Sequence, residues 1–217
     1  MTLALFDLDN TLIAGDSDHA WGQFLVNNQL VDVDEYGKRN DQFYQDYQNG
    51  GLDVAAYLRF ALEPLSRFSK EELATFHHAF MKNSIAPLRL TSADELIAKH
   101  RAKNHRPVVI TATNRFVVEP IITAMGISDI ICSEPEVIGE RYTGNFIDEP
   151  CFQKGKITKL NRWLEDQSET LADAWFYSDS FNDIPLLEQV DHPVAVDPDD
   201  QLRAHAEQSG WPIISLR

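Results

Sequence analysis

The chain has 217 residues, 43% apolar and 24% charged, enough for one large core or for a core domain carrying a smaller insertion. Its 34 acidic against 19 basic residues leave a net charge of −15, a field that repels polyanions and argues against nucleic acid or an anionic membrane surface as partner. Two cysteines, Cys132 and Cys151, are too few for a disulfide framework and lack CxxC spacing, and Asp7 cuts the first apolar run short of a signal-peptide core, so the expected setting is reducing and cytoplasmic.

In chain order, "LALFDLD" (3–9) reads as a strand that ends in two carboxylates. No second strand pattern follows until about residue 107. Residues 18–29, 33–48, 53–62 and 69–82 instead show helical spacing, with Ser69 and Glu72 forming a capping box. Trp21, Phe24, Phe76 and Phe80 recur at helical spacing and read as packing residues. An all-helical insertion over 14–86 is therefore expected, then a linking helix over 88–103 opened by a second box, Ser92 with Glu95. Beyond it strands (107–113, 129–133, 174–179, 193–197, 212–216) mostly alternate with helices (114–126, 155–167, 181–190, 199–210), and 133–149 resembles a hairpin turning at Gly139–Glu140. Continuous apolar strands between amphipathic helices predict an α/β fold whose parallel sheet is covered on both faces. The expected division is a core of 1–13 and 87–217 with 14–86 inserted.

Ligands of open parallel sheets bind at the carboxyl ends of strands, so polar residues there are the candidates. Asp7 and Asp9 end the first strand. They suit a turn, but not a calcium loop, whose sixth and twelfth positions would be Leu12 and Asp18 in place of Gly and Glu. Thr111 and Thr113 end "PVVITAT" at a helix start, which can seat a phosphate or simply cap the helix. Lys156 in "QKGKITKL" opposes the helix dipole, and Lys154 and Lys159 compound the conflict, which an anion would relieve. The segment is not a P-loop, because Pro150 and Ile157 replace the required Gly and Ser or Thr, and a solvated basic patch is the alternative. Asp179 and Asp183 lie in "FYSDSFNDIPLL", where Ser180 with Asp183 could cap a helix. The seven histidines read as structural or surface residues, with His19 as the exception.

The ordered set DxDxT, a strand-ending Thr, a Lys and DSxxND resembles the haloacid dehalogenase superfamily of phosphohydrolases. The helical insertion is similar to that superfamily's first cap class, in the phosphoserine phosphatase-like subgroup, which implies a Rossmann-like core. The resemblance implies that Asp7 attacks phosphorus and becomes an aspartyl phosphate, while Asp9 protonates the leaving alkoxide and then deprotonates water. It further implies that Thr111, Lys156 and Asn182 hold the phosphoryl oxygens. Mg2+ would bridge Asp7 and Asp179 with the backbone carbonyl of Asp9, and Asp183 would steady its shell. Physics asks for a cation independently, since two like charges about 4 Å apart cost roughly 4 kcal/mol at an effective dielectric of about 20.

The substrate is less plainly written. "TATN" stands where phosphoserine phosphatases commonly carry Ser-Gly-Gly, and Asp16 stands where they commonly carry Glu. "GDSDHAW" (15–21) resembles a bacterial branch that includes histidinol-phosphatase-like enzymes. Asp16 could meet a substrate ammonium with His19 nearby, or "DSDH" could merely cap a helix. The expectation is a magnesium-dependent phosphatase acting on a small phosphorylated metabolite such as histidinol phosphate, as a monomer or homodimer. A phosphoserine phosphatase, a phosphotransferase to small alcohols and a non-catalytic phosphoryl-binding domain are the alternatives. A receiver domain is excluded by the DxD and the long insertion.

Overall fold

A computed structural model describes residues 1–217 of the chain. Four successive apolar residues form β1 (Leu3–Phe6), buried along its whole length. It lies in a seven-stranded sheet of order β4-β3-β2-β1-β5-β6-β7. β1 pairs in parallel with β2 (Arg106–Asn114) and with β5 (Trp175–Ser178). The parallel pairing extends from β2 to β3 (Asp129–Ile138), and from β5 through β6 (His192–Val196) to β7 (Ile213–Ile214). Only β4 (Arg141–Ile147), the returning arm of the hairpin, is antiparallel.

The period-2 alternation of β1 sorts the core into two sets. Leu3 and Leu5 join Val108 and Ile110 on one face, while Ala4 and Phe6 join Val109 on the other. The second set continues without a break into the insertion, through Trp21, Phe24 and Phe80. That insertion holds four α-helices, α1 (Ser17–Asn27), α2 (Val33–Gln48), α3 (Val54–Leu62) and α4 (Lys70–Phe80). Short 3-10 and π turns over Glu63–Arg67 and Met81–Leu88 complete it. An antiparallel bridge between Ile13 and Arg89 joins the outgoing and returning chains. The expected packing role of the aromatics is visible, with Trp21 stacked on Phe24 at 5.3 Å and edge-on to Phe80 at 5.1 Å. A side chain at Gly22 would run into the buried Asn40 amide, so the close approach of α1 to α2 is matched to glycine there.

The remaining helices are α5 (Thr91–Ala102), α6 (Arg115–Ala124), α7 (Lys154–Gln167), α8 (Ile184–Leu187) and α9 (Asp200–Ser209). The fold is thus a mixed α/β sheet with an inserted helical layer, as the patterning predicts. Local differences have local causes. Ser69 and Glu72 make the predicted capping box. Ser92 does not, because α5 already starts at Thr91 with Leu90 at its N-cap and no side-chain cap bond. The helix expected over 181–190 is a 3-10 turn, Phe181–Asp183, followed by only one turn of α-helix. No helix is long and apolar enough to cross a membrane.

Candidate active site

β1 and β5 end side by side while β2 runs on past them, and this rim carries Asp7, Asp179, Thr111 and Thr113. Asp7 follows β1 directly, its N–H donating to the Tyr177 carbonyl at 2.9 Å, and Asp179 follows β5. The order of strands reverses about β1, which opens a crevice at this point of the sheet.

Lys156 enters that crevice from α7. Its Nζ donates to Asp7 Oδ1 at 2.7 Å and to Asp183 Oδ2 at 2.8 Å, and all three residues are at most 5% exposed. It is not the solvated patch that the surrounding lysines allow. Nor does Asp183 cap a helix with its side chain, since Asp183 Oδ2 also accepts from Ser178 Oγ at 2.7 Å. Gly155 makes the placement possible, because a Cβ there would lie 2.0 Å from the Pro150 carbonyl. Burial pulls the Lys156 ammonium toward neutrality, but the Asp183 and Asp7 carboxylates overcome it and hold the charge firmly. The lysine's single charge is shared between two carboxylates. Burial therefore raises Asp7 to about 7 despite Lys156, with Asp183 and Asp9 adding to the rise.

Asp9 is held from both sides. Its Oδ1 accepts the Ser17 N–H at 2.6 Å, and its Oδ2 accepts Thr113 Oγ1 at 2.8 Å and Thr111 Oγ1 at 3.4 Å. The Thr113 hydroxyl thus serves Asp9, Thr111 stands at the edge of its reach, and Asn114 caps α6 instead, accepting the Val117 N–H at 3.3 Å. Burial raises the pKa of Asp9, with donors from Ser17 and Thr113 pulling against it. Asp179 Oδ1 accepts Thr11 Oγ1 at 3.0 Å, and burial followed by the charge of Asp7 raises Asp179 well above the ordinary carboxylate range. Asn182 reaches the crevice between Gln153, whose Nε2 donates to it at 2.8 Å, and Ser180.

No three Asp, Glu, His or Cys side chains gather tightly enough to hold a metal ion by themselves. The charge of Asp7, however, raises the pKa of Asp179, each carboxylate keeps one oxygen free of the contacts above, and no lysine or arginine pairs with Asp179. Two hard oxygen donors in mutual repulsion fit a magnesium ion, which binds through one or two carboxylates and retains several waters.

The crevice continues into a cavity of about 670 Å³, counting the solvent at its mouth, that runs from Asp7, Asp9 and Lys156 up to the inserted helices. Asp16, one residue before the Ser17 N–H that meets Asp9, is the N-cap of α1, Oδ1 accepting the His19 N–H at 2.8 Å, so the helix cap and the cavity wall are the same residue. Burial, then the charge of Asp9, raises Asp16 well above the usual carboxylate range. His19 also lines the cavity, but its Nε2 is 2.9 Å from Asp41 Oδ1 and its ring stacks on Tyr44 at 4.6 Å.

A model of haloacid dehalogenase-like hydrolases matches residues 4–188. The chain belongs to that family. It is 48% identical over 219 residues to a histidinol-phosphatase of Neisseria meningitidis, with 99% of each chain covered. A solved structure of a protein of unknown function from Bordetella pertussis superposes with a TM-score of 0.94 at 39% identity, covering both chains completely. A substrate-bound phosphoserine phosphatase shares the fold at a TM-score of 0.71 and 16% identity, over 100% of this chain and 93% of that one.

Beside the candidate residues, this haloacid dehalogenase-like chain brings Thr113, Asp18, Tyr44, Tyr47 and Tyr57 to the same cavity. Thr113 was legible as the second hydroxyl of "TATN". The tyrosines were not, because aromatics spaced along α2 and α3 look the same whether they face a core or a ligand. Tyr47 also touches the sheet domain, its hydroxyl 3.4 Å from Ser180 Oγ.

Proposed function

We propose that this phosphatase hydrolyses a small phosphomonoester bearing an amine, with histidinol phosphate as its best substrate. The observation that carries the reading is the cavity itself. Its lining joins Asp7, Asp9 and a buried lysine to Asp16 and the tyrosines of the inserted helices, and that lysine, Lys156, is already paired with Asp7 and Asp183, which leaves Asp16 without a cation. The 48% identity to a histidinol-phosphatase over nearly the whole chain supports the same choice.

In this reading Asp7 is the nucleophile. Lys156 fixes its Oδ1, leaving Oδ2 to attack phosphorus as the ester P–O bond breaks. Asp9, whose pKa burial raises, gives its proton to the departing alkoxide. In the second half, Asp9 takes a proton from the water that attacks phosphorus, phosphate leaves, and the Asp7 carboxylate is restored. Ser17 and Thr113 hold Asp9 so that it can serve both steps. Lys156, Thr111 and Asn182 neutralise and orient the phosphoryl oxygens. Asp7, Asp179 and the carbonyl of Asp9 would hold magnesium, which when bound supplies Lewis-acid charge at the phosphoryl group. The helices of 14–86 act as the cap that shields the cavity from water.

The test is a panel comparison of histidinol phosphate, phosphoserine, sugar phosphates and an aryl phosphate, run with magnesium and with chelator. The reading requires the highest kcat/KM on histidinol phosphate and loss of turnover on chelation, reversed by added magnesium. Preference for sugar phosphates, or full activity in chelator, would overturn it.

A further inference from the structure

The cap end of the cavity holds a second carboxylate that the reaction above leaves unused. We propose that Asp18 reads a second cationic group of the substrate, an imidazole, while Asp16 meets its amine; this rests on the amine-bearing reading of the site. An acidic residue in the first turn of a helix ordinarily faces solvent and complements the dipole. Asp18 instead is 6% exposed, lines the cavity, and accepts the Asn114 Nδ2–H at 3.2 Å. The ion pairs beside the cavity are His19 with Asp41 and Lys156 with Asp7 and Asp183, none of which involves Asp16 or Asp18. A buried carboxylate without a cation is a costly arrangement. Its pKa is correspondingly raised to about 7 by burial and then by the charge of Asp9, with the Tyr57 hydroxyl opposing.

A ligand cation supplies what is missing. Tyr57, which Phe43 meets edge-on at 5.3 Å, lines the same cavity, and an aromatic face there suits a flat, positively charged ring. His19 does not take that place, since its ring is already engaged by Asp41 and Tyr44. The same accounting disfavours phosphoserine, whose carboxylate would meet two carboxylates, the one lining lysine, Lys156, being held by Asp7 and Asp183.

The experiment measures kcat/KM of the wild type, Asp18→Asn, Asp16→Asn and Tyr57→Phe on histidinol phosphate, aminoethyl phosphate and an aryl phosphate. Wild type should favour histidinol phosphate over aminoethyl phosphate. Asp18→Asn should lower that ratio at least about tenfold, as loss of a charge-assisted buried contact does. Asp16→Asn should instead lower both amines against the aryl ester. Tyr57→Phe should lower the first ratio by a smaller factor, and it decides the matter if Asp18→Asn loses its folded circular dichroism spectrum. Equal loss on all three esters, or an unchanged ratio in the folded variants, overturns the role of Asp18. If wild type prefers both amines to the aryl ester but equally, the amine reading stands and this inference falls. If it prefers neither, both fall.

Discussion

Lys156 shows how much a single residue can decide. Its ammonium lies between two buried carboxylates, so Lys156→Met leaves Asp7 and Asp183 facing each other with nothing between them. Loss of one partner from a buried ion pair costs about 3–5 kcal/mol, which should appear as a lower urea midpoint together with lost turnover. Wild-type stability in that variant would contradict the assigned role. Asp9→Asn is the milder change, because the amide oxygen can still accept the Ser17 N–H while the amide N–H donates to the Thr113 hydroxyl. Turnover of an alkyl phosphate should fall by about 10²–10⁴-fold, the usual worth of general acid–base catalysis, and an aryl phosphate with a better leaving group should lose less. Equal losses on both esters would mean that Asp9 does not protonate the leaving group. At this scale the sequence was readable where polar residues end apolar strands, as at Asp7, Asp9, Thr111 and Asp179. It was not readable at Asp18, whose partner Asn114 lies 96 positions away and meets it only in the folded chain.

Among the elements, α7 carries the strongest constraint. It begins at Lys154 with no side-chain cap, after Gln153 in a positive-φ conformation, and seats Gly155 against the Pro150 carbonyl. Gly155→Ala must displace that backbone, at a cost of about 1–3 kcal/mol typical of overpacking, and shift Lys156 with it. Denaturant midpoints and kcat/KM should therefore fall together. A neutral substitution would show that the start of α7 is not fixed by this contact. The "GK" pair was visible from the outset, but periodicity could not say that glycine is there for a carbonyl and lysine for two carboxylates. Helix existence was legible throughout the insertion because caps and apolar spacing agree locally, as at Ser69 with Glu72. The Ser92 pattern misled because Leu90, already packed against the core, is the N-cap, so that α5 starts at Thr91, one residue ahead of Ser92. The insertion is also anchored at more than its stem, since Trp21 meets Phe116 of α6 at 5.2 Å and His77 Nε2 is 3.3 Å from the Val117 carbonyl.

Across the whole molecule, the face of the sheet opposite Leu3 and Leu5 merges with the interior of the insertion, and a histidine cluster lies beside it. His100 is 4% exposed, with Nε2 2.8 Å from the Tyr177 hydroxyl and Nδ1 2.9 Å from His105 Nδ1. Burial, then the charges of His105 and Lys103, lowers its pKa from 6.5 to about 4. Between those values the unfolded chain binds the proton and the folded one does not, so His100 makes stability rise with pH and fall as pH drops from 6.5 toward 4. Asp7 and Asp18, raised from 3.8 to about 7, act in the opposite direction, since stability is lost as pH rises through their folded values. The comparison of wild type with His100→Gln isolates the first effect, and the variant should lose less stability on acidification. A parallel pH dependence in the two proteins would show that His100 titrates normally in the fold. The charge of −15 had indicated only what the chain avoids; that two carboxylates wait at the cap end of one cavity required the fold.

The central claim is that Asp7 carries the phosphoryl group between the two halves of the reaction. Rapid acid quench of the enzyme turning over a phosphate-labelled ester, followed by digestion and peptide mapping, tests it most directly. A hydroxylamine-labile label is expected on the peptide containing Asp7 and is expected to be absent from Asp7→Asn, which should be folded but inactive. An Asp7→Asn protein that keeps wild-type turnover, or a label mapped to another residue, would contradict it.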